Sequence, residues 1–417
     1  MRPFVNRRLR LTALGLGGLA VVALGTTVIR SRQSAGMTTS SAPLVAFDST
    51  SSSEAEVRDR DIAFYTRRAS EDRQSATDRL TLATLLITRA RTTGSTSDLV
   101  RAESLSRESI ALRSQRNGQA HAVLATVLMS RHAFREAHAE ALRADSLEPE
   151  TPSHLALLGE IELELGEYDA ASAHFKSVHY DGRHLTVAAR VARWYEITGH
   201  ADLAREILTR AIVHVDRRDD LPREQVAWFH YRLGELELRL GRVSQADTAF
   251  RRGLARHADD VRILGGLARV ALARGDYRRA VEYGDRATGV QLDPATLGTV
   301  SEAYAALRDS TQAAQYANAM SISALTQPGT IHRAWGLFLL DHGSAVERAD
   351  VLRRARRDIL ERQDIYAHDL LAWALFRSGQ VSEAREQMRL ALSQHTEDQL
   401  LASHARAMQL RTAVALE

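Results

Sequence analysis

The chain has 417 residues, of which 26% are charged and 6% aromatic, with seven prolines and no cysteine. The lack of cysteine excludes disulfides, thiolate metal sites, cysteine nucleophiles and a lipidated cysteine. The scarcity of proline and of β-branched runs favours helices, and the length indicates several domains or an extensible repeat.

The basic residues are unevenly distributed along the chain. Residues 1–32 hold six arginines and no acid, so removing these six charges from the net +3 leaves about −3 for residues 33–417. A mildly acidic body is a poor surface for a polyanion. No nucleic-acid binding is therefore predicted.

The first predicted element is a hydrophobic helix. Residues 11–29 form an uncharged run. The length of this run is close to the length that a helix needs to cross ~30 Å of hydrocarbon. Four arginines precede this run, whereas Arg30 and Arg32 follow it. The positive-inside rule then keeps the N-terminus in the cytoplasm and exports the rest of the chain. We predict an uncleaved anchor over residues 1–32 in the inner membrane.

Two alternatives remain for this segment. A cleaved signal peptide would release a secreted or periplasmic protein, although Arg30 and Arg32 occupy the place where its cleavage site belongs. The run could also be a buried helix of a cytoplasmic protein. After it, residues 33–59 are rich in Ser, Thr and Ala and predict a flexible linker, because so few apolar residues cannot offset the entropy of ordering.

From about residue 60 the chain predicts short amphipathic helices, and a repeat organises them. Small residues recur in pairs twelve positions apart, and most first members are spaced by 33 or 34 residues. The pairs are Ala125/Ala137, Gly159/Ala171, Ala192/Ala204, Gly234/Ala246, Ala268/Ala280, Ser301/Ala313 and Ala372/Ala384. Two helices joined by a tight turn approach closely where both lack bulk, so each pair predicts an antiparallel hairpin.

A glycine lies in the turn of several of these predicted hairpins, seven residues after the first small residue. These glycines are Gly166, Gly199, Gly241, Gly275 and Gly379. Glycine ends a helix there without a Cβ penalty.

This pattern resembles the tetratricopeptide repeat. The matching residues are Leu158, Gly159, Gly166, Tyr168, Ala171 and Phe175 in one unit, Leu233, Gly234, Gly241, Ala246 and Phe250 in another, and Ala268, Gly275, Tyr277, Ala280 and Ala287 in a third. Glu162 and Glu237 depart from the pattern, since each stands where the repeat usually has tyrosine. The resemblance is firm over residues 118–398.

The resemblance implies an all-α fold, a right-handed α-solenoid of stacked antiparallel hairpins preceded by the N-terminal hydrophobic helix. Residues 60–117 form a degenerate hairpin with an enlarged turn at Thr92–Ser97, and residues 399–417 form a capping helix. About eight extra residues surround 216–222. The first helix of each hairpin would line a concave groove that holds a peptide or protein partner.

Charged residues alternate along one predicted line of this groove. The position after the first small residue holds Glu160, Arg193, Glu235, Arg269 and Glu302 in five successive units. Two interpretations stay open. The residues form a ladder of ion pairs between neighbouring repeats, each contributing ~0–1 kcal/mol, or they form a track that reads a charged ligand.

Trp228, Tyr231 and Arg232 share a predicted helix and complete the candidate groove, since aromatic residues beside arginine are common binding anchors. In the alternative, Trp228 packs against the insertion between residues 185 and 225.

No catalytic, cofactor-binding or metal-binding residue is predicted. The closest histidines, His174, His179 and His184, are spaced by five residues, which does not keep them on one helix face. The sequence therefore predicts a non-enzymatic scaffold that binds a protein partner at the bacterial cell envelope. The alternative is a regulatory or sensory subunit whose array gates a separate enzyme.

Overall fold

The computed structural model describes residues 48–178, 180, 184–326 and 331–412. Every regular element in these residues is an α-helix. The helices are α1 (Asp48–Glu71), α2 (Ala76–Thr93), α3 (Thr96–Leu112), α4 (Gly118–Ser130), α5 (Phe134–Leu147), α6 (Pro152–Leu165), α7 (Tyr168–Ser177), α8 (Leu185–Ile197), α9 (Ala201–Val215), α10 (Arg223–Arg239), α11 (Val243–Arg256), α12 (Val261–Ala273), α13 (Tyr277–Thr288), α14 (Pro294–Ala306), α15 (Ser310–Thr326), α16 (Arg333–His342), α17 (Ala345–Glu361), α18 (Ile365–Arg377), α19 (Val381–Ala391) and α20 (Gln399–Ala407). The predicted all-α solenoid is confirmed.

Helices α2 to α19 pair into consecutive hairpins, each made of a helix A (even number) followed by a helix B (odd number). Each hairpin packs against the next one along the chain. Helix α1 packs on α2, and α20 covers α18 and α19 at the other end. A stack of this kind buries each apolar face only against its neighbours, which is why it needs a cover at its end.

The predicted pairs of small residues lie where helix A meets helix B. In the hairpin of α14 and α15, the Ser301 hydroxyl donates a hydrogen bond of 2.8 Å to the carbonyl oxygen of Ala313. In the hairpin of α6 and α7, a Cβ added to Gly159 would lie 2.6 Å from the Phe175 ring. The absence of side-chain bulk therefore lets the helices pack at close range, as the spacing predicts.

The superhelix is wound so tightly that its successive coils touch. The backbone N–H of Gln363 donates to the carbonyl oxygen of Leu165 at 3.0 Å. The Thr396 hydroxyl donates to the carbonyl oxygen of Glu196, which lies 200 residues earlier. We call this line of contact the coil seam. It joins the A–B turns of early hairpins to the loops between late hairpins.

The hydrophobic core also crosses between the two coils. One cluster of buried side chains contains Ala156 of α6 and Val191 of α8 together with Leu371 and Leu375 of α18. In an open repeat array each unit touches only its neighbours. Here, hairpins that are far apart in sequence share a core.

Three turn glycines lie at the coil seam and have positive φ angles: Gly94 (+69°), Gly166 (+82°) and Gly199 (+73°). Each ends a helix A, as predicted for Gly166 and Gly199. Each also faces the next coil, because a Cβ would clash with Gln291 at Gly94, with the backbone of Gln363 at Gly166 and with the backbone of His395 at Gly199. The small turn residue therefore serves both the helix end and the close approach of the coils.

Two features of the N-terminal region differ from the predictions. The turn between α2 and α3 is not enlarged, because Gly94 caps α2 in the left-handed conformation and the Ser95 side chain caps α3. Residues 48–59, predicted as part of the linker, belong to α1. This helix is held in place where the Glu54 carboxylate accepts a hydrogen bond from the backbone N–H of Arg223.

Within the described residues, no helix is long and apolar enough to span a membrane. The predicted anchor at residues 11–29 lies outside them.

Candidate functional site

Several of the predicted charged positions come together on a surface formed by A helices. We call this surface the inner channel and define it by side chains from the A helices α6, α8, α10, α12 and α18. They are Glu160, Arg190, Arg193, Glu196, Tyr231, Arg232, Glu235, Arg239, Arg262, Arg269 and Tyr366.

The predicted ladder of ion pairs is present at one of its steps. Glu235 of α10 pairs with Arg269 of α12, in the next hairpin. Glu160 does not pair with Arg193. It accepts a hydrogen bond of 2.6 Å from Arg190 instead. These contacts show that some of the alternating charged residues form ion pairs within the protein.

Glu196 is the centre of the densest group of charges in the channel. Its carboxylate pairs with Arg193 at 3.0 Å, with Arg239, and with Arg232 at 3.9 Å. Burial alone would raise the pKa of Glu196, but Arg239, Arg193 and Arg232 outweigh burial and lower it to about 2. One buried carboxylate is therefore the shared counter-charge of three guanidinium groups from two neighbouring hairpins.

Tyr366 of α18 reaches this group from the next coil. Arg193 lies over the Tyr366 ring at 5.2 Å and donates a hydrogen bond of 3.4 Å to its hydroxyl, 173 residues later in the chain. Arg333 lies over the same ring at 4.9 Å. Burial raises the pKa of Tyr366 above its ordinary value, so the hydroxyl stays protonated. The channel wall is thus built from both coils.

The predicted anchor residues of α10 have different surroundings. Trp228 packs on the apolar cluster formed by α8, α9 and α10, together with Leu221 of the insertion. This is the packing alternative considered above. Tyr231 has the Arg262 guanidinium over its ring at 5.8 Å, and burial raises its pKa to about 12. A partner-binding role for Trp228, Tyr231 and Arg232 stays a prediction.

Glu302, the last predicted groove residue, lies apart from this group. It pairs with His342 at 3.1 Å, and both side chains are about half exposed.

Arg91 is a channel residue that the sequence did not indicate. It lies at the end of α2, and its guanidinium interacts electrostatically with Glu224, Arg190, Arg262 and Glu160, which belong to four different A helices. Burial lowers the pKa of Arg91 from its ordinary value, and the two nearby arginines lower it further. Within the described part of the chain, Arg91 forms no hydrogen bond or ion pair. It is therefore an exposed cation at the end of α2 that lies beside four A helices.

Glu196, Arg239 and Tyr366 were also missed. A search for residues three or four positions after the predicted ones, on the same helix face, would have found Glu196 from Arg193 and Arg239 from Glu235. No comparable local signal leads to Tyr366 or Arg91, because their channel neighbours lie far away in sequence.

The histidine set considered in the sequence is not assembled. His174 pairs with Glu162 at 2.7 Å. His184 is exposed at the start of α8, and His179 lies outside the described residues.

Two segments of the chain, residues 110–178 and 231–295, match the family model of the tetratricopeptide repeat. The first segment contains α4 to α7, and the second runs from the middle of α10 to the end of α13. This match agrees with the resemblance seen in the sequence.

The chain is similar to solved structures of the same architecture. The human IFIT1 dimer with m7Gppp-AAAA has a TM-score of 0.52 and 13% identity, covering 82% of this chain and 78% of that one. The human IFIT1 dimer with PPP-AAAA gives a TM-score of 0.51 at 13% identity, covering 76% of this chain and 72% of that one. At this identity the likeness shows the fold alone. Among curated proteins, none matches this chain significantly.

Proposed function

We propose that this chain is a protein-interaction scaffold that holds a carboxylate-bearing segment of a partner protein in the inner channel. The fold supports this proposal, because tetratricopeptide arrays typically bind peptides or proteins. The observation that carries it is Arg91, a channel cation without an ion pair among the described residues.

The charges around Arg91 determine which partner fits. Arg190 and Arg262 add positive charge nearby, while Glu160 and Glu224 compensate it in part. A guanidinium without an ion pair gains most from a carboxylate that forms a charge-assisted hydrogen bond with it. The partner segment therefore presents an Asp, a Glu or a C-terminal carboxylate.

The location at the outer face of the bacterial inner membrane belongs to the same proposal. It rests on the uncharged run at residues 11–29 and the arginines on both sides of it. Alkaline phosphatase fused to the C-terminal end of the full chain tests it, since this enzyme is active only after export. An inactive fusion would contradict the envelope location. It would not bear on binding in the channel, which is tested separately.

Channel binding is tested with fluorescein-labelled decapeptides rich in Asp and Glu, against Lys-rich peptides of the same length. Fluorescence anisotropy with the full chain should show binding of the acidic peptides alone. Arg91→Gln should weaken that binding about tenfold or more, because a hydrogen bond to a charged group is lost.

Arg210→Gln is the matched control. Arg210 is an exposed residue of α9 that pairs with Glu206, and its replacement removes the same charge. Binding should be unchanged in this variant. Equal weakening in both variants would mean that net charge, and not the channel, attracts the peptide.

A further inference from the structure

Two carboxylates and an imidazole converge at an interface between two hairpins, outside the inner channel. Ligand atoms of His138 on α5, Glu162 on α6 and Glu167 at the start of α7 all lie within 4.8 Å of one another. Glu162 follows the channel residue Glu160 by two positions and so lies on roughly the opposite side of α6. The cluster is separate from the channel.

The spacing of two of these atoms suits a transition metal ion. His138 Nε2 and Glu162 Oε1 are 3.3 Å apart. Two ligands of a tetrahedral ion at bond lengths of about 2.0–2.1 Å are separated by roughly 3.3 Å. Glu167 caps α7 without a side-chain hydrogen bond, so its carboxylate is available as a third ligand.

His174 holds the buried carboxylate in place. Its Nδ1 lies 2.7 Å from Glu162 Oε2, the oxygen that is not directed at His138. Metal-binding carboxylates are commonly oriented in this way by a hydrogen bond from behind.

An equivalent interface elsewhere in the chain shows what is unusual here. Glu237 occupies the same repeat position as Glu162, and it pairs with Arg205 at 2.5 Å and Arg242 at 3.9 Å. These arginines stand at the repeat positions of His138 and Glu167. Two positive charges are thus replaced by an imidazole and a second carboxylate.

The interface around Glu162 therefore has less positive charge than the interface around Glu237. Among the described residues, no arginine or lysine forms an ion pair with Glu162 or Glu167, and Glu162 pairs only with His138 and His174. A divalent cation would supply the two charges that Arg205 and Arg242 supply at the other interface.

We propose that His138, Glu162 and Glu167 bind a divalent transition metal ion, with Zn²⁺ as the best fit, and that a water completes the site. An imidazole ligand favours Zn²⁺ over Mg²⁺ or Ca²⁺, which prefer oxygen ligands alone. The ion links α5 to α6 and α7 and so joins one hairpin to the next. His174 positions Glu162 and does not bind the metal.

Equilibrium dialysis of the metal-free full chain against Zn²⁺, with bound metal counted by mass spectrometry, tests this site. The wild type should bind one Zn²⁺ per chain at a tight site, and any further Zn²⁺ more weakly. His138→Arg should abolish that site while the chain stays folded by circular dichroism, because the new arginine reproduces the pairing of Arg205 with Glu237. His174→Gln should weaken the site by about 10–100-fold.

His121→Arg is the matched control, since His121 pairs with Glu140 at 2.6 Å and takes no part in the cluster. It should leave the tight site unchanged. Glu167→Gln, at an exposed position, should weaken binding without altering stability in the absence of metal. The proposal is overturned if the wild type and His138→Arg bind the same amount of Zn²⁺, or if the wild type binds none tightly.

Discussion

The Tyr168 hydroxyl accepts a hydrogen bond of 2.7 Å from the backbone N–H of Ile365, which lies 197 residues further along the chain. Tyr168 begins helix B of an early hairpin, and Ile365 begins helix A of a late one. Together with the adjacent bond between Gln363 and Leu165, this contact fixes the two coils against each other. The coil seam is therefore made of directional hydrogen bonds as well as apolar packing.

The seam makes the turn glycines unequal. Gly166→Ala and Gly379→Ala both place alanine at a positive φ angle of about 80°, which costs roughly 1–2 kcal/mol. Only Gly166 faces another coil, whereas a Cβ at Gly379 would meet nothing within 4 Å. Urea unfolding should show that Gly166→Ala lowers the free energy of unfolding by about 1–3 kcal/mol more than Gly379→Ala does, because its methyl group overpacks the seam. Equal losses of stability in the two variants would show that the seam accommodates the added methyl group without strain.

The seam also couples distant hairpins. Deletion of residues 362–417 removes α18 to α20, so amide hydrogen exchange in α6 to α9 should accelerate although these helices are remote in sequence. The hairpin of α2 and α3 is the internal control, because its seam partner is Gln291, outside the deletion. Unchanged exchange in α6 to α9 would mean that the array behaves as a chain of nearest neighbours.

The Glu196 carboxylate should be needed for stability. Glu196→Gln leaves Arg193, Arg232 and Arg239 together without their shared counter-charge, so a loss of about 3–5 kcal/mol is expected. Glu302→Gln, which removes an exposed carboxylate paired with His342, should cost at most about 1 kcal/mol. The comparison is made by chemical denaturation at neutral pH.

The pH dependence provides a second check of Glu196. Its pKa is lowered to about 2 from an ordinary 4.5. The unfolded chain therefore takes up this proton first, and the stabilisation is complete above pH 4.5 and lost as the pH falls towards 2. The stability of Glu196→Gln should change less than that of the wild type across this window.

A histidine at the coil seam should make stability depend on pH in a higher range than Glu196 does. His132 lines a cavity of about 450 Å³ with His332, Trp335 and Arg354. Burial, followed by the charge of Arg362, lowers the pKa of His132 from 6.5 to about 4. The folded state binds this proton less readily than the unfolded state, so stability should fall as the pH drops from 6.5 to 4.

His132→Asn should flatten that part of the profile, since asparagine tolerates the positive φ angle of 58° at this position. His214→Asn, at an exposed site on α9, is the control and should keep the wild-type profile. The profile is followed by the thermal midpoint at each pH.

The hairpins could be predicted because their determinants are local. Gly159 and Ala171 lie twelve residues apart, and the physics that brings them together acts within one helix–turn–helix. The pair of Glu235 and Arg269 was likewise accessible, since it joins equivalent positions of adjacent repeats.

The coil seam and the full channel could not be predicted. Contacts such as Arg193 with Tyr366 depend on the sum of small rotations between successive hairpins, which no single motif encodes. An error of a few degrees per hairpin would separate these residues completely. For the same reason, the alternating charges indicated an inner surface without revealing that Arg193 turns to Glu196 and Tyr366.

Contact between coils changes how the molecule responds to a pulling force. An open solenoid stretches like a soft spring, because each hairpin interface yields by a small rotation. In this chain the hydrogen bonds from Gln363 to Leu165 and from Ile365 to Tyr168 must break before the coils can separate. It should therefore resist extension up to a threshold load and lengthen abruptly beyond it.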